Sequence, residues 1–236
     1  MYGYGYGYYG FDWTYILLII GMLLSLAASA KLKSTFSYYR RIRSASGLTG
    51  AETAKRILQA AGITDVQVRA ISGSLTDHYD PRTKTVSLSE DIYGQTSLAA
   101  VGVAAHECGH AIQHAIGYAP LEFRSAIVPV ANFGSTLSWP LFLIGLFSGI
   151  RPLVTAGIVL FSLAVLFQLV TLPVEINASS RALKMLQSTG ILGTDETRGA
   201  RKVLTAAAMT YVAALAASIL QLLRLLILAG GRRRDD

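Results

Sequence analysis

Four stretches of the chain stay almost free of charge for long enough to cross a bilayer, and between them the apolar positions become periodic. At a rise of about 1.5 Å per residue, roughly 20 apolar residues span the hydrocarbon. Residues 13–30, between Asp12 and Lys31, come close to that length, and 125–150 and 152–174, separated by Arg151 and closed by Glu175, satisfy it. A fourth run begins after Lys202 and reaches residue 229, broken only by Arg224, which is placed to snorkel toward the membrane surface. No basic region precedes the first run, so it reads as a retained anchor rather than a secretory signal.

Residues 31–124 follow other periods. Thr49 is placed to cap a helix with Ala54, Ile57, Leu58 and Ala61 on one face and Gly62 at its end. VQVRAI at 66–71 and TVSLS at 85–89 alternate as strands do, with a turn marked by Asp80 and Pro81 between them. After Gly94 a helix of small residues runs from about Thr96 to Ile116. The predicted fold is a mainly α integral membrane protein with about four membrane helices and a small α+β region. Its boundaries are a Gly/Tyr-rich tail over 1–12, spans at 13–30, 125–150, 152–174 and 203–229, and the α+β region over 31–124. A connecting helix and loop occupy 175–202, and a basic tail 230–236.

Composition sharpens this picture. Charged residues make up 15% of the 236 positions, against about 25% in soluble proteins, and the mean hydropathy is +0.45, which excludes an ordinary water-soluble globule. The net charge of +7 does not mark a nucleic-acid binder, because the basic residues flank apolar runs instead of forming a stripe interleaved with aromatics. Lys31, Lys33, Arg40, Arg41 and Arg43 crowd the exit of the first span, and the tail ahead of it has no Lys or Arg, which predicts an external tail and a cytoplasmic 31–124 region. A hairpin through Arg151 and Pro152 then returns the chain to the cytoplasm at Glu175. Arg232, Arg233 and Arg234 disagree: a full fourth crossing puts them outside, so either that helix does not cross or these arginines are an exception. With a single cysteine, Cys108, no intrachain disulfide forms.

The small-residue helix contains His106-Glu107-Cys108-Gly109-His110, an H-E-x-x-H. Four residues are about one helical turn, so both imidazoles reach one zinc ion with Glu107 beside the open position. The competing reading is a pair of partly buried helix histidines. A catalytic zinc needs a third protein ligand. The metzincin position holds Ile116 and the glycine that pattern requires is Gln113, so that class is excluded. His114 points past the metal, and Cys108 reads as a small buried residue. The carboxylate candidates are Glu122, Asp195, Glu196 and Glu175, and Glu175 is the best placed, because Ala178 and Ser179 let its helix approach the motif helix closely.

AAHECGHAIQHA, the upstream LTDHYDPRTKTVSLSEDIYG and the downstream LPVEINASSRAL, in that order, resemble the bacterial neutral zinc metallopeptidases of the membrane, the YugP-like family, over nearly the whole chain. More distantly they resemble HtpX-like and CAAX-prenyl proteases, gluzincins whose third ligand is the glutamate of E-x-x-A-D. Glu175 and Ala178 match that motif, but Ser179 stands at the aspartate that orients a histidine ligand, leaving Ser179, Ser180, Asn177 or Asp80 to replace it.

The resemblance implies zinc-dependent endopeptidase chemistry on polypeptides, membrane proteins among them, at the cytoplasmic face of a bacterial cell membrane. The implied ligands are His106, His110 and Glu175, Glu107 is the general base, and His78 and Tyr79 are candidate oxyanion donors. TVSLS would offer an edge strand to an extended substrate. Contact with the lipid bilayer and assembly into an oligomer or complex are expected, nucleic acid is not. The alternative is a non-proteolytic membrane adaptor that keeps a structural metal site, against which an intact Glu107 argues.

Overall fold

The computed structural model describes residues 12–231; the tail ahead of Asp12 and the three terminal arginines lie outside the described residues. The elements run α1 (Tyr15–Tyr39), α2 (Gly50–Ala60), β1 (Gln67–Ile71), β2 (His78–Asp80), β3 (Thr85–Ser89), α3 (Glu90–Tyr93), α4 (Leu98–Ala115), α5 (Ala119–Ser148), α6 (Arg151–Ser188) and α7 (Thr194–Gly231). Among the described residues α1, α5, α6 and α7 are long and apolar enough to cross a membrane.

Small residues set how these helices meet, as expected where lipid supplies no hydrophobic drive for helix association. In the α5–α6 hairpin, a Cβ on Gly157 would stand 2.8 Å from Phe142 and from the Ser138 carbonyl, so the backbones touch there. α1 and α7 run antiparallel along their whole shared length: Tyr39 lies on Gly199, Gly21 on Ala217, and Thr14 Oγ1 accepts from Arg224 Nε at 3.2 Å. The fourth apolar helix therefore covers the same thickness as the first. Arg224 does not snorkel; it is buried, 3.9 Å from the Asp12 carboxylate and 4.4 Å over the Tyr15 ring. Sequence hydropathy cannot reveal that partner, because it arrives from the far end of the chain.

Beyond the apolar spans a compact α+β unit forms around α4. Thr49 caps α2 in a reciprocal capping box with Glu52, and Gly62 follows the helix with φ +72°, as the sequence predicts. The sheet departs from expectation. β2 had no sequence signal, being three residues with polar ends, and the Asp80–Pro81 turn joins it to β3. The order is β1-β3-β2, with β1 parallel and β2 antiparallel to β3, so TVSLS is a fully buried central strand and not the expected edge. The core gathers Ile57 and Leu58 of α2, Leu88 of β3, Leu186 of α6 and Val203 of α7 around the alanines of α4. α6 continues without a break from its apolar run through Glu175 to Ser188, despite Pro173, so the expected division at 174/175 is no structural boundary.

Candidate active site and metal centre

Ser97 caps α4, its hydroxyl accepting from the Ala100 N–H at 3.2 Å, and a sequence of alanine and glycine lets other elements close around the helix. The tightest approach is at Gly109: a Cβ there would sit 2.4 Å from the Ala178 carbonyl oxygen of α6. Glu175 lies one turn before Ala178 and is thereby delivered beside the two histidines of the motif.

His106 Nε2 is 3.3 Å and His110 Nε2 3.6 Å from Glu175 Oε2. Among the described residues these three form the group able to hold a metal ion, their ligand atoms all lying within 4.8 Å of one another. Ligand bonds of about 2.0–2.1 Å in a tetrahedron place donors about 3.3 Å apart, so the observed spacing fits zinc. Of the other carboxylates, Glu196 accepts from the Ala45 N–H at 2.7 Å, Asp195 pairs with Arg198 at 3.1 Å, and Glu122 belongs to the start of α5.

The hydrogen bonds behind the two histidines fix the tautomer of His110. Arg181 can only donate, so Asn177 Oδ1 accepts from it at 2.7 Å and also accepts from Gln113 Nε2 at 3.0 Å. Gln113 Nε2 donates again to the Val174 carbonyl at 2.8 Å, which leaves Gln113 Oε1 to accept from His110 Nδ1 at 3.0 Å. His110 then carries its proton on Nδ1 and turns the Nε2 lone pair to the ligand cluster. His106 Nδ1 meets Ser179 Oγ at 3.1 Å, so the serine at the aspartate position takes over that contact. Asp80 is occupied locally by the Arg82 N–H and the Thr83 hydroxyl. Glu175 is divided between its oxygens, with Arg124 3.8 Å from Oε1 on the side away from the histidines.

Glu107 is buried, borders a cavity of about 150 Å³ and has no hydrogen-bond partner among the described residues. Burial pushes its carboxyl above the usual range, opposed by the two imidazoles. Burial also pulls the His110 imidazole down, but the proximity of Glu175 and the charge of Glu107 outweigh it and leave the pKa raised. Leu75 and Asp77 enter the cavity from the loop before β2; Leu75 holds a left-handed backbone, φ 57°, that its side chain disfavours.

Neither His78 nor Tyr79 lines this cavity. His78 is exposed with Nδ1 2.9 Å from the Thr76 carbonyl, and the Tyr79 hydroxyl lies 2.8 Å from His114 Nδ1, outside the ligand group. It is the loop before β2, through Leu75 and Asp77, and not the strand itself that lines the cavity. Tyr211 of α7 does line it, together with His106, Glu107 and Glu175. Its only sequence signal is a tyrosine well inside an apolar run, away from the interface where tyrosines collect. Cys108 is buried, its thiol donating to the Ala54 carbonyl at 3.5 Å and pushed up by burial, as a structural cysteine should be.

The family model described as "Putative neutral zinc metallopeptidase" matches residues 14–230. The chain belongs to this family. It is also 50% identical over 220 residues, 92% of this chain and 98% of the relative, to the "Putative membrane protease YugP" of Bacillus subtilis (strain 168). No solved structure matches. Family membership implies zinc, and the His106, His110 and Glu175 donors are a chemically suitable set for it.

Proposed function

We propose that the protein is a membrane endopeptidase that hydrolyses peptide bonds of polypeptides, membrane proteins among them, at the cytoplasmic membrane face, with a gluzincin-type set of His106, His110 and Glu175. One observation carries this reading: two imidazole nitrogens lie 3.3 and 3.6 Å from one oxygen of Glu175, beside a cavity lined by His106, Glu175 and an unpartnered carboxylate, Glu107. A purely structural metal site needs no such carboxylate beside an open face, so this arrangement favours catalysis over the adaptor role.

His106, His110 and Glu175 would hold a zinc ion, which would supply Lewis-acid chemistry to water, lowering its pKa toward about 7, and to the scissile carbonyl. Glu107 accepts the water proton as the oxygen attacks and returns it to the departing amine, and its raised affinity for protons suits both halves of that transfer. Tyr211, and neither His78 nor Tyr79, donates to the developing oxyanion, because of the three it alone lines the cavity. An extended substrate is aligned by main-chain pairing with the outer edge of β2, next to Leu75 and Asp77. The orientation rests on charge: Arg181, Lys184, Arg198, Arg201 and Lys202 join Lys31 to Arg43 at the end that carries the site.

The test is zinc content together with cleavage of a membrane-protein mixture. Glu107→Gln should keep about one zinc per chain and lose about 10²–10⁴ in turnover, and Glu175→Ala should lose the metal as a histidine variant does. Unchanged cleavage by Glu107→Gln removes the base, and a retained two-nitrogen, one-carboxylate site in Glu175→Ala removes the ligand assignment.

A further inference from the structure

The α1–α7 seam has two sides. On one, Leu32 and Phe36 of α1 meet Val203, Leu204, Ala207 and Tyr211 of α7 at the catalytic cavity. On the other, the same two helices enclose an open cavity of about 520 Å³ whose rim carries three cations, Lys31, Arg201 and Lys202. Elsewhere on this unit Arg40 has Asp91 at 2.7 Å and Lys84 has Asp65, while Lys33, Arg41, Arg43, Lys55 and Arg56 make no ion pair among the described residues. The three on the rim make no ion pair with any described residue, and Thr35 and Thr205, which also line the cavity, make no hydrogen bond with one.

The height of this cavity narrows what it accepts. By the register of the seam Lys202 lies level with Phe36 and Lys31 level with Ala207, so the cavity runs from Arg201 and Lys202 in the headgroup region down to Lys31 at the start of the apolar run. Toward the bilayer the wall becomes apolar through Ala206 and the exposed Met209, and α1 presents exposed leucines, Leu23, Leu24 and Leu26, to lipid in the turns below. A phosphate ester would find Arg201, Lys202 and the Thr35 and Thr205 hydroxyls toward the water, with Lys31 reaching up from one to two turns below, and an attached acyl chain would find the apolar wall beyond. A soluble phosphate would use only the first.

We propose that this cavity is a binding site for the headgroup of an anionic phospholipid, its phosphate held by Lys31, Arg201 and Lys202. The site lies on the opposite side of the seam from the metal ligands and does not depend on the proteolytic reading.

The experiment is native mass spectrometry of the full-length protein in a neutral detergent, titrated with phosphatidylglycerol and, separately, with phosphatidylcholine. Wild type should retain one phosphatidylglycerol in preference to phosphatidylcholine. Lys31→Gln and Lys202→Gln should each weaken retention about fivefold, the equivalent of about 1 kcal/mol per basic contact. Lys33→Gln and Arg41→Gln remove neighbouring cations outside the cavity and should leave retention unchanged; equal loss in both pairs would reduce the effect to general surface charge and overturn the site. A Lys31→Arg, Lys202→Arg double variant should still bind, and its failure would count against the proposal as well. Displacement of the lipid by excess inorganic phosphate or glycerol 3-phosphate would assign the site to a soluble ligand and overturn the lipid.

Discussion

Gln113 decides which nitrogen of His110 is free, and it does so through a chain that begins with an arginine. Because Arg181 and the Val174 carbonyl fix the orientation of Asn177 and Gln113, the amide oxygen of Gln113 is committed to His110 Nδ1. Gln113→Leu leaves the imidazole free to take the other tautomer, and zinc affinity measured by chelator competition should fall about 10–100-fold. Unchanged affinity would show that the geometry of α4 alone holds the ring. Tyr211→Phe should behave oppositely, with zinc retained and kcat reduced by about 10²–10³ as the oxyanion donor is lost. If KM rises while kcat stays, Tyr211 contacts substrate only in the ground state. The three residues that the fold brings together as a possible metal group were legible in the sequence, from i and i+4 histidines on a helix and a carboxylate beside small residues. Gln113 and Tyr211 were not, because a lone polar residue in a helix has no period and takes its meaning from a neighbour more than sixty residues away or on the opposite side of the site.

Elements carry the ligands to one another, and the decisive contact is the one between α4 and α6. A side chain at Gly109 meets backbone, not a flexible tip, at 2.4 Å from the Ala178 oxygen, so nothing local gives way and the helices must part. Gly109→Ala should destabilise the fold by about 1–3 kcal/mol and lower zinc affinity, because His110 and Glu175 sit on the two helices that separate. Thermal midpoints with and without added zinc check this: the variant should lose most of the zinc-dependent rise. Gly102→Ala is the control, since its Cβ would meet Ala200 only at ordinary contact distances, 3.4 Å to its side chain and 3.7 and 3.9 Å to its backbone. The long helices, the capped α2 and the motif helix could be read from periodicity. β2 could not, because three residues are too few for alternation to show, and without it the buried central position of β3 is invisible.

For the whole molecule, the antiparallel seam of α1 and α7 links topology to the ends of the chain. The contacts of Tyr39 with Gly199, Gly21 with Ala217 and Thr14 with Arg224 keep one register along both helices, so the two cross the same slab. Once Asp12 is external, Arg224 is near the external surface too, and residues beyond it emerge on that side. The ion pair between Arg224 and Asp12 marks that end of the seam, and the many basic residues stand at the opposite end. Reporter enzymes fused ahead of Asp12 and after the C-terminus should both be external, and fusions after Arg43 and within the loop at Gly190 should be cytoplasmic. Asp12→Ala should leave this pattern intact while lowering the thermal midpoint, because Arg224 is buried and would lose its carboxylate partner. A C-terminal reporter active on the same side as the fusion after Arg43 would mean that α7 does not cross, and the seam that supports both the catalytic cavity and the basic one would have to lie outside the membrane.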